Sequence, residues 1–261
     1  MDLEIKDRVA VVLGAGGGLG SAVASRLSAE GARVALCDIN EDALAATAAA
    51  IREAGGEAET FVWDLGESDR AAEVMASIKS AMGPIDILFN NTGGPPPTPV
   101  AGQDAALWTK SFSAMVLSVI QATDAVLPDM RARGFGRIVT STSSGVVAPI
   151  PNLGLSNTLR ASLVAWSKTL AREVGGDGIT VNVVVPGRIG TARTAFLDSK
   201  KAEREGRSVD EVSRDSCALI PVGRYGDPAE YASVVSFLAS GLASYVTGSV
   251  VRVDGGLLAN I

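Results

Sequence analysis

Val9-Ala10-Val11-Val12-Leu13-Gly14-Ala15-Gly16-Gly17-Gly18-Leu19-Gly20 decides the fold. Five apolar residues in a row read as a strand buried on both faces, as a parallel sheet covered by helices demands. The glycine-rich turn that follows opens an alanine-rich helix running to about Glu30. Glycine is needed where a backbone turns tightly and where it approaches a pyrophosphate closely. The N-terminus of the helix then offers unpaired N–H groups and a partial positive charge to phosphates. Strand, glycine turn and helix in this order is the context that gives such a stretch its meaning.

Outward from this stretch the same alternation recurs. Residues 33–37 read as a strand, followed by a helix over 42–54, and strand-like runs return at 58–63, 85–90, 137–140 and 180–185. Apolar strands separated by helices mean βαβ units, and right-handed crossovers wind them on both sides of one sheet. The expectation is a single doubly wound, Rossmann-type α/β domain over residues 1–261, with a parallel sheet of about seven strands. Pro95-Pro96-Pro97-Thr98-Pro99 reads as a stiff loop after a strand. Residues 248–256 read as a final strand and turn. A substrate loop is expected at about 192–220, where the charged stretch 199–213 has a helical pattern and suits a lid or a solvated surface helix equally.

Bulk properties exclude several functions. A net charge of -6 argues against nucleic acid or an anionic membrane as partner. Cys37 and Cys217 stand far apart in no metal or redox pattern, which fits a reducing compartment. Residues 1–8 are charged and lead straight into a strand, so no signal peptide is expected, and no apolar run reaches the roughly 18 residues of a membrane span. A cytoplasmic protein acting on a small molecule is expected. The sequence contains no histidine, which removes histidine bases, His-containing triads and His metal sites, and no metal is expected.

Asp38 ends the second strand, 20 residues after Gly18. A carboxylate there can accept hydrogen bonds from the ribose hydroxyls of NAD and repels the extra phosphate of NADP. No lysine or arginine in the glycine turn or beside Asp38 could receive that phosphate. NAD is therefore the expected cofactor. Alternatively, Asp38 is a helix N-cap ahead of Asn40-Glu41-Asp42.

The spacing of Gly14, Gly18 and Gly20 resembles that of the short-chain dehydrogenase/reductase family. So do Asp64-Leu65 after the third strand, Asn90-Asn91-Thr92-Gly93, and Pro186-Gly187 with Ile189 and Thr191. Pro221-Val222-Gly223-Arg224 and Val253-Asp254-Gly255-Gly256 resemble its C-terminal markers, so the likeness runs from about residue 8 to 256. The resemblance implies cofactor contacts from Gly14, Gly18, Leu19, Gly20, Asp38, Ile39, Asp64, Leu65, Asn91, Gly93, Arg160, Pro186, Gly187, Ile189 and Thr191. Of these, Asp64 and Leu65 would touch adenine, and the stretch from Pro186 to Thr191 would hold the nicotinamide carboxamide. It also implies a homotetramer, with residues 255–258 available to an interface.

The family's catalytic set is Ser, then Tyr about 13 residues on, Lys four further, and an Asn on the preceding helix. Here Ser143, expected to end the fifth strand, takes the serine's place, Ser156 the tyrosine's, Arg160 the lysine's and Met115 the asparagine's. Tyr225, Tyr231 and Tyr245 all lie outside the motif. A phenol with a pKa of about 10 can be brought toward neutrality by a neighbouring cation. A serine hydroxyl cannot, and arginine does not release its proton in a protein. Ser156 and Arg160 share a helix face at i and i+4, so with Ser143 they are the candidate catalytic residues, able to hold an oxyanion without relaying a proton. Arginine at the lysine position also occurs in the halohydrin dehalogenases, which keep the tyrosine and lack the glycine loop.

Three functions fit. The first is a NAD(H)-dependent oxidoreductase on a substrate needing little proton help, such as an imine or a conjugated double bond. The second is a non-redox lyase or dehalogenase-like enzyme with an anion cradle. The third is a catalytically silent NAD-binding protein. The expected pocket lining is apolar, with Val146, Val147, Ile150, Leu153, Phe196 and Leu197, and its charges are Arg188 and Arg193.

Overall fold

The computed structural model describes residues 2–261. Strand β1 (Val9–Leu13) is buried at every residue, and so it lies mid-sheet with cover on both faces. The others are β2 (Arg33–Asp38), β3 (Ala58–Val62), β4 (Ile85–Asn90), β5 (Gly136–Ser141), β6 (Ile179–Pro186) and β7 (Val250–Val253). All pair in parallel in the order β3-β2-β1-β4-β5-β6-β7. β4, β5 and β6 are buried throughout, whereas the edge strands β3 and β7 are partly exposed.

Between the strands run α1 (Gly18–Ala29), α2 (Glu41–Glu53), α3 (Ala71–Met82), α4 (Ala105–Phe112), α5 (Ser118–Arg133), α6 (Gly154–Val174), α7 (Ala192–Glu205), α8 (Val209–Ala218) and α9 (Pro228–Leu238). One core layer packs Val23, Leu27, Leu44 and Ile51 of α1 and α2 with Tyr231 and Val235 of α9. The opposite layer packs α3, α5 and α6 through Val74, Ile78, Val126, Met130, Leu170 and Val174. Each such aliphatic side chain contributes about 1.5–3 kcal/mol by leaving water. The architecture is the expected doubly wound α/β domain.

Register positions the site. Leu13 pairs with Cys37, so Gly14 and Asp38 emerge side by side at the carboxyl edge of the sheet. β1 has β2 on one side and β4 on the other, so the chain reverses its direction of winding there. That reversal opens a crevice beyond the strand ends, the usual ligand position in such sheets. Asn90 pairs with Thr140 and Ser141 with Val184, bringing the segments after β4, β5 and β6 to the same edge.

Four expectations change. The stretch 199–213 is no single helix: α7 ends on Gly206 in the left-handed region at φ 63°, and α8 starts afresh with a Ser208–Glu211 capping box. The expected substrate loop is thus largely a pair of helices. Asp38 is not the cap of α2, because Asn40 accepts the Ala43 N–H in that role. Ser143 lies two residues past the end of β5, where it caps a short 3₁₀ turn over Ser144–Val146. Finally, the helical stretch Ala105–Arg133 is long and apolar enough by composition to cross a membrane, contrary to the expectation of no such run. A π-turn at Ser113–Leu117 joins α4 and α5 without a break, and half of the apolar stretch is buried inside the fold.

Candidate active site

The glycine turn forms one wall of a cleft of about 460 Å³ at the crevice. Gly14 holds φ 65°, a conformation that side chains other than glycine rarely adopt. Asn91 Nδ2 donates to the carbonyls of Leu13 at 3.3 Å and Gly14 at 3.5 Å, bracing the turn from β4. At Gly20 a β-carbon would overlap the Gly14 carbonyl oxygen and lie 2.6 Å from its carbon, so the first turn of α1 packs directly on the loop. No side chain caps α1 and its first turn holds no acid. Its free N–H groups therefore face the cleft as a ready seat for phosphate.

Asp38 stands at one end of the cleft. Its Oδ2 accepts from Gly16 N and its Oδ1 from Asn40 N, each at 3.0 Å. Across the cleft, Pro186 ends β6, Gly187, Ile189 and Thr191 follow it, and Thr191 caps α7 by accepting from Thr194 N at 3.3 Å. Thr191 also lies 3.6 Å from where a β-carbon of Gly18 would stand. These features fit a dinucleotide laid across the carboxyl edge.

Ser143, Ser156 and Arg160 line the other end of the same cleft. Ser143 Oγ accepts from Gly145 N at 3.1 Å. Ser156 sits in the first turn of α6, whose N-terminus no side chain caps. Arg160, one turn on, is buried. Its Nη2 donates to the carbonyls of Thr92 at 2.9 Å and Gly93 at 3.1 Å, and its Nη1 to that of Ser141 at 3.3 Å. Burial, and secondarily Arg193, push its pKa down to about 10. Arg160 therefore stays charged at neutral pH while tying the ends of β4 and β5 together. Beneath it, Tyr231 of α9 donates to Ser141 Oγ at 2.9 Å; burial first raises this phenol's pKa well above its ordinary value, and so it stays protonated.

The structure sorts the remaining candidates. Gly14, Gly18, Leu19, Asn91 and Gly93 line the cleft. Gly20, Ile39, Asp64 and Leu65 do not: Gly20 is buried beneath the turn, Ile39 is exposed, Asp64 accepts from Gly66 N, and Leu65 packs on the core. Arg188 leaves the list of pocket charges, because it pairs with buried Asp198 and reaches Ser216 and Tyr225 instead. Arg193 faces the cleft. The apolar lining divides as well. Leu153 and Leu197 belong to this cleft, while Val146 and Ile150 line a second cavity of about 480 Å³. Sequence reasoning passed over Thr92, Gly94, Ser141 and Thr142 as cleft residues. Their adjacency to Asn91, Gly93 and Ser143 was the available signal. Among the described residues, no group of three or more His, Cys, Asp or Glu could hold a metal.

A family model described as enoyl-(acyl carrier protein) reductase matches residues 14–258. The short-chain reductase protein NovJ of Streptomyces niveus is 35% identical over 253 residues, covering 96% of this chain and 94% of NovJ. The chain belongs to the short-chain dehydrogenase/reductase family. Among solved members, L-sorbose reductase from Gluconobacter frateurii, complexed with NADPH and L-sorbose, matches with a TM-score of 0.94 at 30% identity over the full length of both chains. An NAD+-bound xylitol dehydrogenase matches with a TM-score of 0.90 at 30% identity, over 97% of this chain and 99% of its own. The chain is an enzyme, an oxidoreductase of short-chain dehydrogenase/reductase type.

Proposed function

We propose that the protein is a NAD(H)-dependent oxidoreductase acting on a small substrate whose reducible group draws no proton from a tyrosine. The observation that carries this reading is one continuous cleft with Asp38 at one end and Ser143, Ser156 and Arg160 at the other.

Family members bind either nicotinamide dinucleotide, so the choice rests on local chemistry. Each oxygen of Asp38 accepts one backbone N–H and keeps a lone pair for a ribose hydroxyl. Its charge opposes a second phosphate, and the turn 14–20 holds no cation to offset it. Asp38→Ala is expected to weaken NAD+ binding about tenfold, the loss of a charge-assisted hydrogen bond, and to relax the preference. Calorimetric titration with NAD+ and NADP+ checks this; tighter binding of NADP+ by the natural protein overturns the assignment of Asp38.

At the reacting end, Ser156 and Arg160 stand where the family pattern has tyrosine and lysine, and the catalytic set is degenerate in this reading. Bound nicotinamide would supply the hydride. An iminium carbon that accepts hydride becomes a neutral amine and needs no proton. A conjugated carbonyl that accepts it at the β-carbon becomes an enolate, which takes its proton from water. The Ser143 O–H, whose oxygen is held by Gly145 N, is placed to hydrogen-bond that enolate oxygen. Nicotinamide absorbance followed over a panel of cyclic iminium ions, enones and simple ketones tests the reading. Turnover is expected with the first two and not with ketones; turnover confined to ketones would sink it.

The oxidoreductase reading also includes a homotetramer in the cytoplasm. The exposed Val250 on the edge strand β7 supports assembly, and a monomer by light scattering at micromolar concentration would remove that part.

A further inference from the structure

Two guanidinium groups converge on one point of the cleft. A β-carbon at Gly94 would lie 3.1 Å from Nη2 of Arg193 and 3.9 Å from Nη2 of Arg160. Arg160 comes from α6 and Arg193 from the first turn of α7, so the fold itself brings these like charges together. Arg160 is bonded to three carbonyls and Arg193 to one, beside the Phe196 ring, but among the described residues neither pairs with an acid. Among the described residues lining the cleft, Asp38 is the sole acid, and it stands at the adenosine end, committed to Gly16 and Asn40. Asp198 of α7 is taken by Arg188 and Tyr225.

Like charges held side by side repel one another, and a fold that sets the exposed Arg193 beside the buried Arg160 with no acid between them suits an opposite charge. The contrast with the whole chain, whose net charge is -6, sharpens the point. Burial lowers the pKa of both arginines, as expected where a cation lacks a counter-charge. Arg193 spends one recorded hydrogen bond, Nη2 to the Pro95 carbonyl at 2.9 Å, and keeps most of its donors. The adjacent Thr92 is 7% exposed, and its buried Oγ1 has no hydrogen-bond partner. The missing side chain at Gly94 leaves the space between these groups open.

Building on the oxidoreductase reading of this cleft, we infer that the substrate carries a carboxylate, seated at Gly94 on the Arg193 guanidinium, with the Thr92 hydroxyl as a further donor and the charge of Arg160, whose Nη2 hydrogens are taken by carbonyls, beside it. A guanidinium fork matches the two oxygens of a carboxylate in plane. The cofactor's diphosphate is served elsewhere, at the N-terminus of α1 where Thr191 meets Gly18.

The test uses matched probes: pyruvate against pyruvamide, and benzoylformate against its amide. Each is titrated by calorimetry into the full-length protein, both free of cofactor and saturated with NAD+. Each carboxylate is expected to bind about 10- to 100-fold more tightly than its amide. Arg193→Gln should erase that preference and leave NAD+ affinity unchanged, while Arg193→Lys should restore part of it. Carboxylates that bind no better than their amides, or do not bind, overturn the inference. So does an Arg193→Gln loss that falls on NAD+, which would give this arginine to the diphosphate. A carboxylate preference in protein that fails to bind NAD+ would keep this inference and sink the oxidoreductase reading.

Discussion

Gly20→Ala is expected to lower NAD+ affinity at least about 100-fold, through loss of charge-assisted hydrogen bonds from the turn and helix N–H groups to the cofactor phosphates. The added β-carbon would overlap the Gly14 carbonyl oxygen and lie 2.6 Å from the Gly14 carbon and 3.1 Å from Ala15 Cα. All three are backbone atoms, so no side-chain rotation relieves the clash, and the turn itself must move. Gly14 cannot yield easily, because it already holds φ 65° under Asn91, and Ala15 N is tied to Cys37 O at 3.0 Å. Overpacking of this kind costs about 1–3 kcal/mol or more of stability. Gly17→Ala is the control: its β-carbon meets nothing within 4 Å and its backbone is fully extended, so unfolding in urea should be unchanged. Calorimetric titration reads the affinity. A Gly20→Ala protein that binds NAD+ as the natural one does would show that the turn is not the phosphate seat.

The same turn shows how far the sequence could be read. The apolar run at β1 and the largely apolar runs at β4 and β6 pointed to this arrangement, because strands apolar on both sides need cover on both faces. The glycine spacing then pointed to the turn that lines the cleft. Around Asp38 the sequence left two roles open. Only the register of β1 against β2 brings the carboxylate to Gly16 N and leaves Asn40 to cap α2. The reacting end was less legible, for a physical reason. Whether an arginine faces a cleft depends on partners distant in the chain. Arg188 and Arg193 are five residues apart and looked equivalent, yet Asp198 and Tyr225 draw one away while the other turns toward Gly94. Likewise, the i, i+4 spacing of Ser156 and Arg160 put both on one helix face. It could not reveal that the guanidinium would be spent largely on the Thr92, Gly93 and Ser141 carbonyls.

That last point shapes the other large effect expected. Ser156→Tyr should raise the reduction of a simple ketone by NADH about 100- to 10,000-fold, the usual contribution of general acid catalysis. Position 156 opens onto the cleft from the first turn of α6, and the cleft of about 460 Å³ has room for a ring. Arg160, one turn away and charged, would favour the phenolate and bring its pKa from about 10 toward neutrality. Completing the family pattern is expected to help less. In Arg160→Lys a single ammonium nitrogen replaces the two that serve three carbonyls, and unsatisfied carbonyls cost about 1–3 kcal/mol. Met115→Asn would put an amide among Val116, Leu159 and Leu163, at a similar cost unless it finds a partner. The single variant should therefore outperform the triple one in stability, and urea unfolding beside kcat/KM separates the two effects. A Ser156→Tyr protein with normal stability and NAD+ affinity but no gain on ketones would show that the missing phenol is not what limits the site. For the natural activity, Ser156→Ala tests whether the hydroxyl works, and Arg160→Lys tests the guanidinium. If Arg160→Lys lowers activity only as far as it lowers stability, Arg160 acts as the brace between β4 and β5. A fall in activity at full stability would mean that its planar charge meets the substrate, because an ammonium point charge does not replace a guanidinium fork.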